Sequence, residues 1–134
     1  MVTRADEQLA FTIDELGALR ALVSRVASLT SLERERIHDL VLAVSELASN
    51  SVLHGGGEGV LRVWVQDEEA LHCEVRDEGH IGEHAVVRDC PAPTACGGRG
   101  LWLADHLCDG LAIDSSAGTG SVVHVHMRLP GASA

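Results

Sequence analysis

The first half of the chain contains two stretches in which apolar residues recur at helical spacing. Residues 8–13 form a short extended run that leads into Asp14, a residue type that favours the N-cap of a helix. The stripe that follows comprises Leu16, Leu19, Leu22, Val23 and Val26. A second stripe comprises Ile37, Leu40, Val41, Val44 and Leu47, continues to Leu53 and stops at Gly55-Gly56-Gly57. We therefore expect a short strand followed by two amphipathic helices.

The second half of the chain has mostly the two-residue period of β-strands. The predicted elements are strands at residues 60–66, 71–75, 111–114 and 121–129 and a short helix at residues 101–107. The acidic turn Asp67-Glu68-Glu69 joins the first two of these strands. Residues 77–98 show no sustained period and predict a long loop, which in a compact domain is usually functional or disordered.

Size and charge narrow the class of protein. With 134 residues and 14.2 kDa, the chain is expected to form a single domain over residues 1–134. Ten Lys and Arg against 20 Asp and Glu give a formal net charge of −10, which argues against direct binding of nucleic acid and suits basic partner surfaces. No apolar run is long enough to span a bilayer or to act as a signal peptide, so we expect a cytoplasmic protein without membrane contact.

The four cysteines, Cys73, Cys90, Cys96 and Cys108, form no CxxC pair and favour a reducing compartment. Two interpretations are open for the cysteines of the long loop. Together with two loop histidines they supply ligand types that suit zinc, although the spacings match no familiar finger. The alternative is that all four are ordinary loop residues. This candidate zinc set is His80, His84, Cys90 and Cys96.

The second helix carries a polar row beside its apolar stripe. Glu46 and Asn50 are four residues apart and therefore lie on one helix face, and His54 continues the row. A carboxylate beside a carboxamide oxygen suits a hard cation such as Mg²⁺ and a nucleophile that needs a base. The alternative interpretation is a solvated helix face with no chemical role.

Three glycine-containing motifs follow in order. Asp77-Glu78-Gly79 ends a strand, where a carboxylate can accept a hydrogen bond from an exocyclic amine and glycine lets a flat ring approach. Gly97-Gly98-Arg99-Gly100-Leu101 opens a helix, a position at which backbone N–H groups can hold phosphate. Gly118-Thr119-Gly120 precedes the last strand. Each motif taken alone is also ordinary turn chemistry.

The order of the four motifs resembles the N, G1, G2 and G3 boxes of the GHKL ATPase superfamily, over residues 8–129. The segment Leu42-Ala43-Val44-Ser45-Glu46-Leu47-Ala48-Ser49-Asn50 looks most like the bacterial anti-sigma factor/serine-protein kinase family. The resemblance implies an α/β (α+β) two-layer sandwich, the Bergerat or GHKL ATPase fold. Helices cover one face of a mixed, largely antiparallel sheet in this fold, and residues 80–97 would form a lid over ATP.

The resemblance also implies a role for each motif. Glu46 is the expected general base, Asn50 the Mg²⁺ ligand, and Asp77 the acceptor for the adenine amino group, with Gly79 letting the ring pack closely. Gly98 and Gly100 would present backbone amides to the phosphates, and Thr119 would lie near the adenine. The expected ATP-binding residues are Asn50, Asp77, Gly79, Gly98, Arg99, Gly100, Leu101 and Thr119.

The function implied by the resemblance is partner switching in transcription. The chain would hold an RNA polymerase sigma factor, use ATP to phosphorylate a serine of a small anti-anti-sigma antagonist, and form a homodimer. Two other functions are open from the sequence. One is an ATP-binding adaptor of the same fold without kinase activity, and the other is a small α/β interaction domain that binds no nucleotide.

Overall fold

The structure is a computed structural model that describes residues 2–79, 99–114 and 120–131. Its elements, in chain order, are β1 (Thr3–Phe11), α1 (Leu16–Ser28), α2 (Arg34–His54), β2 (Gly59–Gln66), β3 (Ala70–Asp77), α3 (Arg99–Leu107), β4 (Gly110–Asp114) and β5 (Ser121–Arg128). No helix in these described ranges is long and apolar enough to cross a membrane.

The strands form one sheet in the order β1-β2-β3-β5-β4, and every pairing between the described strands is antiparallel. Because side chains alternate between the faces of a strand, one face of the sheet is almost wholly apolar. Its buried residues are Leu61, Val63, Val65, Leu71, Cys73, Val75, Val123, Val125 and Met127. These side chains and the apolar stripes of the helices make a single core. The predicted two-layer fold is confirmed.

The first helix begins differently from the prediction, in which Asp14 is the N-cap. Thr12 is the cap of a short helical turn, Ile13–Glu15, that leads into α1. The backbone N–H of Asp14 donates to Thr12 Oγ1 (3.3 Å), and the Thr12 N–H donates to the Glu15 carboxylate (2.9 Å). This reciprocal Thr-x-x-Glu capping box satisfies two free amides at once, which Asp14 alone cannot do. The preceding strand also starts earlier than predicted, at Thr3.

Arg36 links the start of α2 to the end of α3. Its Nη1 donates to the Leu107 carbonyl oxygen at the end of α3 (2.9 Å), and its Nη2 donates to Asp109 Oδ1 (3.1 Å) and to Met127 Sδ (3.0 Å). Asp109 in turn accepts from the backbone N–H of Arg128 at 2.7 Å. A cation at a helix C-terminus also interacts favourably with the helix dipole. One guanidinium therefore holds α2, α3 and β5 together.

The other face of the sheet, which is not part of this core, carries a layer of rings. Trp64 of β2 lies 5.2 Å from His72 of β3 and 5.6 Å from His124 of β5, with ring planes within about 10° of parallel. The Arg62 guanidinium lies 4.2 Å above the Trp64 ring. His72 Nδ1 and His124 Nε2 share a hydrogen bond of 2.7 Å. Trp64 is consequently only 7% exposed, although it points away from the core.

We expect Arg36→Gln to lower the free energy of unfolding by about 1–2 kcal/mol, because shorter Gln cannot reach Leu107 and Asp109 together. The matched control is Arg25→Gln, which removes an exposed ion pair with Glu7. That control should cost less than about 0.5 kcal/mol. Urea unfolding of both variants measures the difference, and equal losses would show that Arg36 is an ordinary surface cation.

The hydrogen-bonded pair of His72 and His124 should make the free energy of unfolding depend on pH. Burial, assisted by the neighbouring imidazoles, lowers the pKa of His72 from 6.5 to about 4, and burial also lowers the pKa of His124. Between about pH 4 and about pH 6.5 the unfolded chain therefore binds more protons than the folded chain. The free energy of unfolding consequently falls as the pH drops through this range. Urea unfolding at about pH 7.5 and about pH 5, with a chelator present, should show this loss. The double variant His72→Gln/His124→Gln should flatten the dependence, and an unchanged slope would contradict the assignment.

Candidate functional site

Asp77 is the last residue of β3, and both oxygens of its carboxylate are held in place. Oδ2 accepts a hydrogen bond from Ser51 Oγ of α2 at 2.6 Å, and Oδ1 accepts from the backbone N–H of Gly79 at 2.8 Å. A carboxylate oxygen can accept two hydrogen bonds, so each retains acceptor capacity for a ligand. The carboxylate is therefore oriented before any ligand binds.

Glycines allow the end of α2 and the end of β3 to approach this closely. A Cβ on Gly55, which caps α2, would lie 2.4 Å from the Asp77 carboxyl group. A Cβ on Gly79 would lie 2.7 Å from the Cα of Gly55 and 3.0 Å from the His54 carbonyl oxygen. The first two distances are below 3.0 Å, which real Cβ atoms essentially never show, and the third is at that limit. Gly79 is thus required for packing against α2, in addition to the ring contact that the motif predicts.

The start of β5 closes the same corner. Gly120 has a positive φ of 80°, and a Cβ there would lie 2.2 Å from the Asp77 carbonyl oxygen. Ser121 pairs with Asp77 in the sheet, and its Oγ donates to the Gly79 carbonyl oxygen at 2.7 Å. The segment that follows the predicted Gly118-Thr119-Gly120 motif therefore reaches the end of β3.

Glu46 and Asn50 lie one turn apart on α2, and both are half-buried. Their neighbours Leu47 and Ala48 belong to the core, and Ser51, the residue after Asn50, is the Asp77 partner. Glu46 and Asn50 therefore do not lie on a fully solvated helix face, whereas His54, which continues the row, is exposed. The row belongs to the helix that the Asp77 carboxylate anchors.

The glycine-rich segment before α3 is described only from its end. Arg99 and Gly100 open α3, which packs against α2, and Leu101 is buried in the core. The remaining predicted residues lie outside the described ranges. They are Gly98, Thr119, the lid at residues 80–97, and the candidate zinc set His80, His84, Cys90 and Cys96.

The thiols that are described have no reactive character. Cys73 and Cys108 are both free and buried. Burial raises the pKa of the Cys73 thiol far above its ordinary value and that of Cys108 to about 12, so neither forms a thiolate at neutral pH. Nucleophilic catalysis by these two cysteines is therefore not part of the site.

Ser51 and Gly55 are absent from the predicted site. A signal for Ser51 exists in the sequence, since it continues the spacing of Leu40, Val44 and Leu47 and places a hydroxyl on the apolar stripe. A buried hydroxyl needs a partner, and here that partner is Asp77. Gly55 belongs to a run that predicts only the end of the helix. Its close approach to Asp77 could not be predicted, because Asp77 ends a strand 22 residues further along the chain.

A cleft of about 310 Å³ opens where β1 ends, β2 begins and β3 ends, and Asp77 is one of its lining residues. Phe11 and Val60 contribute apolar side chains to the lining, and Glu15, Glu58 and Glu78 contribute acidic ones. No lining residue in the described part of the chain comes from α2 or α3. The cleft is therefore distinct from the helix face that bears Glu46 and Asn50.

The sequence matches the model of the histidine kinase-like ATPase domain over residues 9–127. The chain belongs to this family. Among solved structures, it is similar to the RsbU and RsbW domains of Rv1364c from Mycobacterium tuberculosis, with a TM-score of 0.66 and 22% identity. The match covers 92% of this chain and 32% of that one, so the present chain spans about a third of its length. At this identity the likeness shows the shared fold. No curated protein matches the sequence.

An ATPase domain of this family handles ATP, and the donors on α2 fit the metal that usually accompanies it. Mg²⁺ takes one or two protein oxygen ligands and fills its remaining positions with water and phosphate. The Asn50 carboxamide and the Glu46 carboxylate are oxygen donors of this kind. The described residues contain no group of three or more His, Cys, Asp or Glu already arranged to hold an ion.

We expect Gly55→Ala to destabilise the fold by about 1–3 kcal/mol, since its methyl group would overlap the Asp77 carboxylate. Gly17→Ala is the matched control. Gly17 is exposed in the first turn of α1, and its new Cβ would meet only the end of the Arg20 side chain, at 3.8 Å. This control should stabilise by up to about 1 kcal/mol. Thermal unfolding distinguishes the two, and a neutral Gly55→Ala would show that the corner is loosely packed.

Proposed function

We propose that this ATPase domain is an anti-sigma factor with serine-protein kinase activity, which binds ATP and Mg²⁺ between α2, the end of β3 and the start of α3. The observation that carries the proposal is the Asp77 carboxylate, which Ser51 and Gly79 orient at a corner lined by glycines. An oriented carboxylate acceptor is suited to the exocyclic amine of adenine. The helix that supplies Ser51, α2, also supplies Glu46 and Asn50, which would lie near the phosphates.

In this proposal the adenine amino group donates to Asp77, and Thr119 lies near the same end of the nucleotide. The phosphates lie at the start of α3, where the helix dipole and the free N–H groups of the glycine-rich segment favour anions. Gly98 and Gly100 present amides, and Arg99 adds charge. Leu101 fastens this segment to the core, where it is 5% exposed.

Asn50 would hold Mg²⁺, which neutralises phosphate charge. Glu46 would accept the proton of a serine hydroxyl on the protein substrate. The serine oxygen forms a bond to the γ-phosphorus as the bond from that phosphorus to the β,γ-bridging oxygen breaks, and the electron pair leaves with ADP. Phosphoryl transfer needs mainly positioning and charge stabilisation. In the proposal α2 would supply the positioning, since the Ser51–Asp77 hydrogen bond and the core hold this helix.

The proposed partners are a sigma factor and a small anti-anti-sigma antagonist. Phosphorylating the antagonist would place about two negative charges beside a protein that is already acidic, with a net charge of −10. Repulsion would release the antagonist and leave the regulator free to hold sigma. The sequence resemblance and the fold shared with the structure of the RsbU and RsbW domains of Rv1364c support this assignment. A homodimer is part of the same proposal.

One observation favours a second candidate, an ATP-binding adaptor without kinase activity. The usual G1 box is Asp-x-Gly-x-Gly, whereas here Gly79 is followed by Gly82, one position later. In this second candidate, the displaced glycine would give the lid a different hinge. ATP could then order the lid and select a partner without transferring its γ-phosphate.

Glu46→Gln separates these functions. We expect it to abolish transfer of labelled γ-phosphate from ATP to the antagonist, by about a hundredfold or more, while ATP still binds. The matched control is Glu35→Gln, an exposed glutamate on the same helix, which should retain transfer. Phosphate transfer is measured on candidate antagonists, and calorimetry measures ATP binding by the same variants. Full transfer by Glu46→Gln contradicts the base assignment, and wild-type binding without transfer supports the adaptor.

A further inference from the structure

Three imidazoles meet on the face of the sheet that lies opposite the core. His72 comes from β3, and His124 and His126 come from β5. His72 and His126 are direct partners in the antiparallel register, and His124 lies two residues before His126 and therefore on the same face. All three side chains are partly accessible. None of them belongs to the proposed nucleotide site.

The three rings form a triangle whose two shorter sides match the spacing that a metal ion requires and whose third side is about 1 Å longer. Their centroids are separated by 4.9 Å, 5.5 Å and 6.3 Å. Three imidazoles bound to one tetrahedral zinc ion, at a Zn–N distance of about 2.0–2.1 Å, have centroids about 5 Å apart. We propose that His72, His124 and His126 form a binding site for a borderline divalent metal ion of the Zn²⁺ class, with a fourth position open to water.

The hydrogen bond between His72 and His124 is what the ion would replace. Their centroids are 4.9 Å apart and the facing nitrogens 2.7 Å apart, so the rings meet edge to edge. The nitrogens do not yet converge on one point, and the described residues contain no ready-made cluster of three donors. Metal binding therefore requires each ring to rotate about its terminal torsion, which is soft, so that one nitrogen faces the centre of the triangle.

The surroundings suit neutral imidazole ligands. Burial keeps His72 and His124 unprotonated at neutral pH, because it lowers the pKa of each ring, and metal ligation requires that form. Gly110 leaves space for the third ring, since a Cβ there would lie 2.1 Å from the His126 imidazole. Glu74 is the cross-strand partner of His124 and is close enough to raise that pKa in part. A carboxylate in this position can orient a metal-bound histidine.

Two of the cations on this face, Arg62 and Arg76, are paired with carboxylates. Arg62 lies over the Trp64 ring and is also paired with Asp6. Arg76 donates to Glu74 at 3.1 Å. Both guanidinium groups are therefore held by carboxylates, which reduces their repulsion of a bound cation. Trp64 forms an apolar wall beside His72 and His124.

The test is a calorimetric titration of the full chain with Zn²⁺ after treatment with a chelator. We expect one Zn²⁺ per chain, and His72→Gln, His124→Gln and His126→Gln should each weaken binding by about tenfold or more. The matched control is His38→Gln, an exposed histidine on α2, which should bind Zn²⁺ like the wild type. Binding should also weaken on acidification, because protons compete for the same nitrogens.

Fluorescence of Trp64 gives a second test that needs no histidine variant and therefore does not depend on whether such a variant folds. The chain has two tryptophans, so Trp102→Phe leaves Trp64 as the single emitter. Cu²⁺, which also favours imidazole, should quench Trp64 at one equivalent, and a chelator should restore the emission. Unchanged Trp64 emission overturns the proposal. So does Zn²⁺ binding that survives all three histidine variants and is lost in Cys90→Ser/Cys96→Ser, since the ion would then belong to the loop set.

Discussion

The hydrogen bond between Ser51 and Asp77 is the contact on which the candidate site depends. It joins the last turn of the molecule's longest described helix to the end of a central strand at 2.6 Å, and the glycines at positions 55, 79 and 120 let three chain segments reach that point. A buried hydroxyl and a carboxylate would each be costly without the other. The contact therefore both closes the corner of the core and orients the acceptor proposed to recognise adenine.

The sheet separates two kinds of chemistry. On its core side, β3 ends in Asp77 beside α2, where oxygen donors and glycine backbone suit a nucleotide and a hard cation. On its other side, the same strand carries His72 among nitrogen donors that suit a softer ion. The alternation of side chains along β3 produces both faces. The helical layer is held separately, by the hydrogen bond from Arg36 of α2 to the Leu107 carbonyl oxygen of α3.

Much of this arrangement could be predicted from the sequence because it follows from local period. The stripe from Ile37 to Leu53 predicted α2, and the alternation around Val63 predicted β2. The prediction of Asp14 as the N-cap was wrong, because Thr12 and Glu15 cap the helix together. The residue type at a single position does not show such a reciprocal pair. The histidine triangle was missed because it depends on register, which brings His72 beside residues more than 50 positions away.

The most direct test of the account is calorimetric titration of the wild-type chain with ATP and with GTP, each with Mg²⁺, beside Asp77→Asn. Adenine offers an amino group to Asp77, whereas guanine places an acceptor oxygen at that position. The account predicts that ATP binds at least about a hundredfold more tightly than GTP and that Asp77→Asn loses this preference, because a site built for a hydrogen bond rejects ligands that lack the donor. Equal binding of ATP and GTP by the wild type would contradict the assignment of Asp77 to adenine recognition.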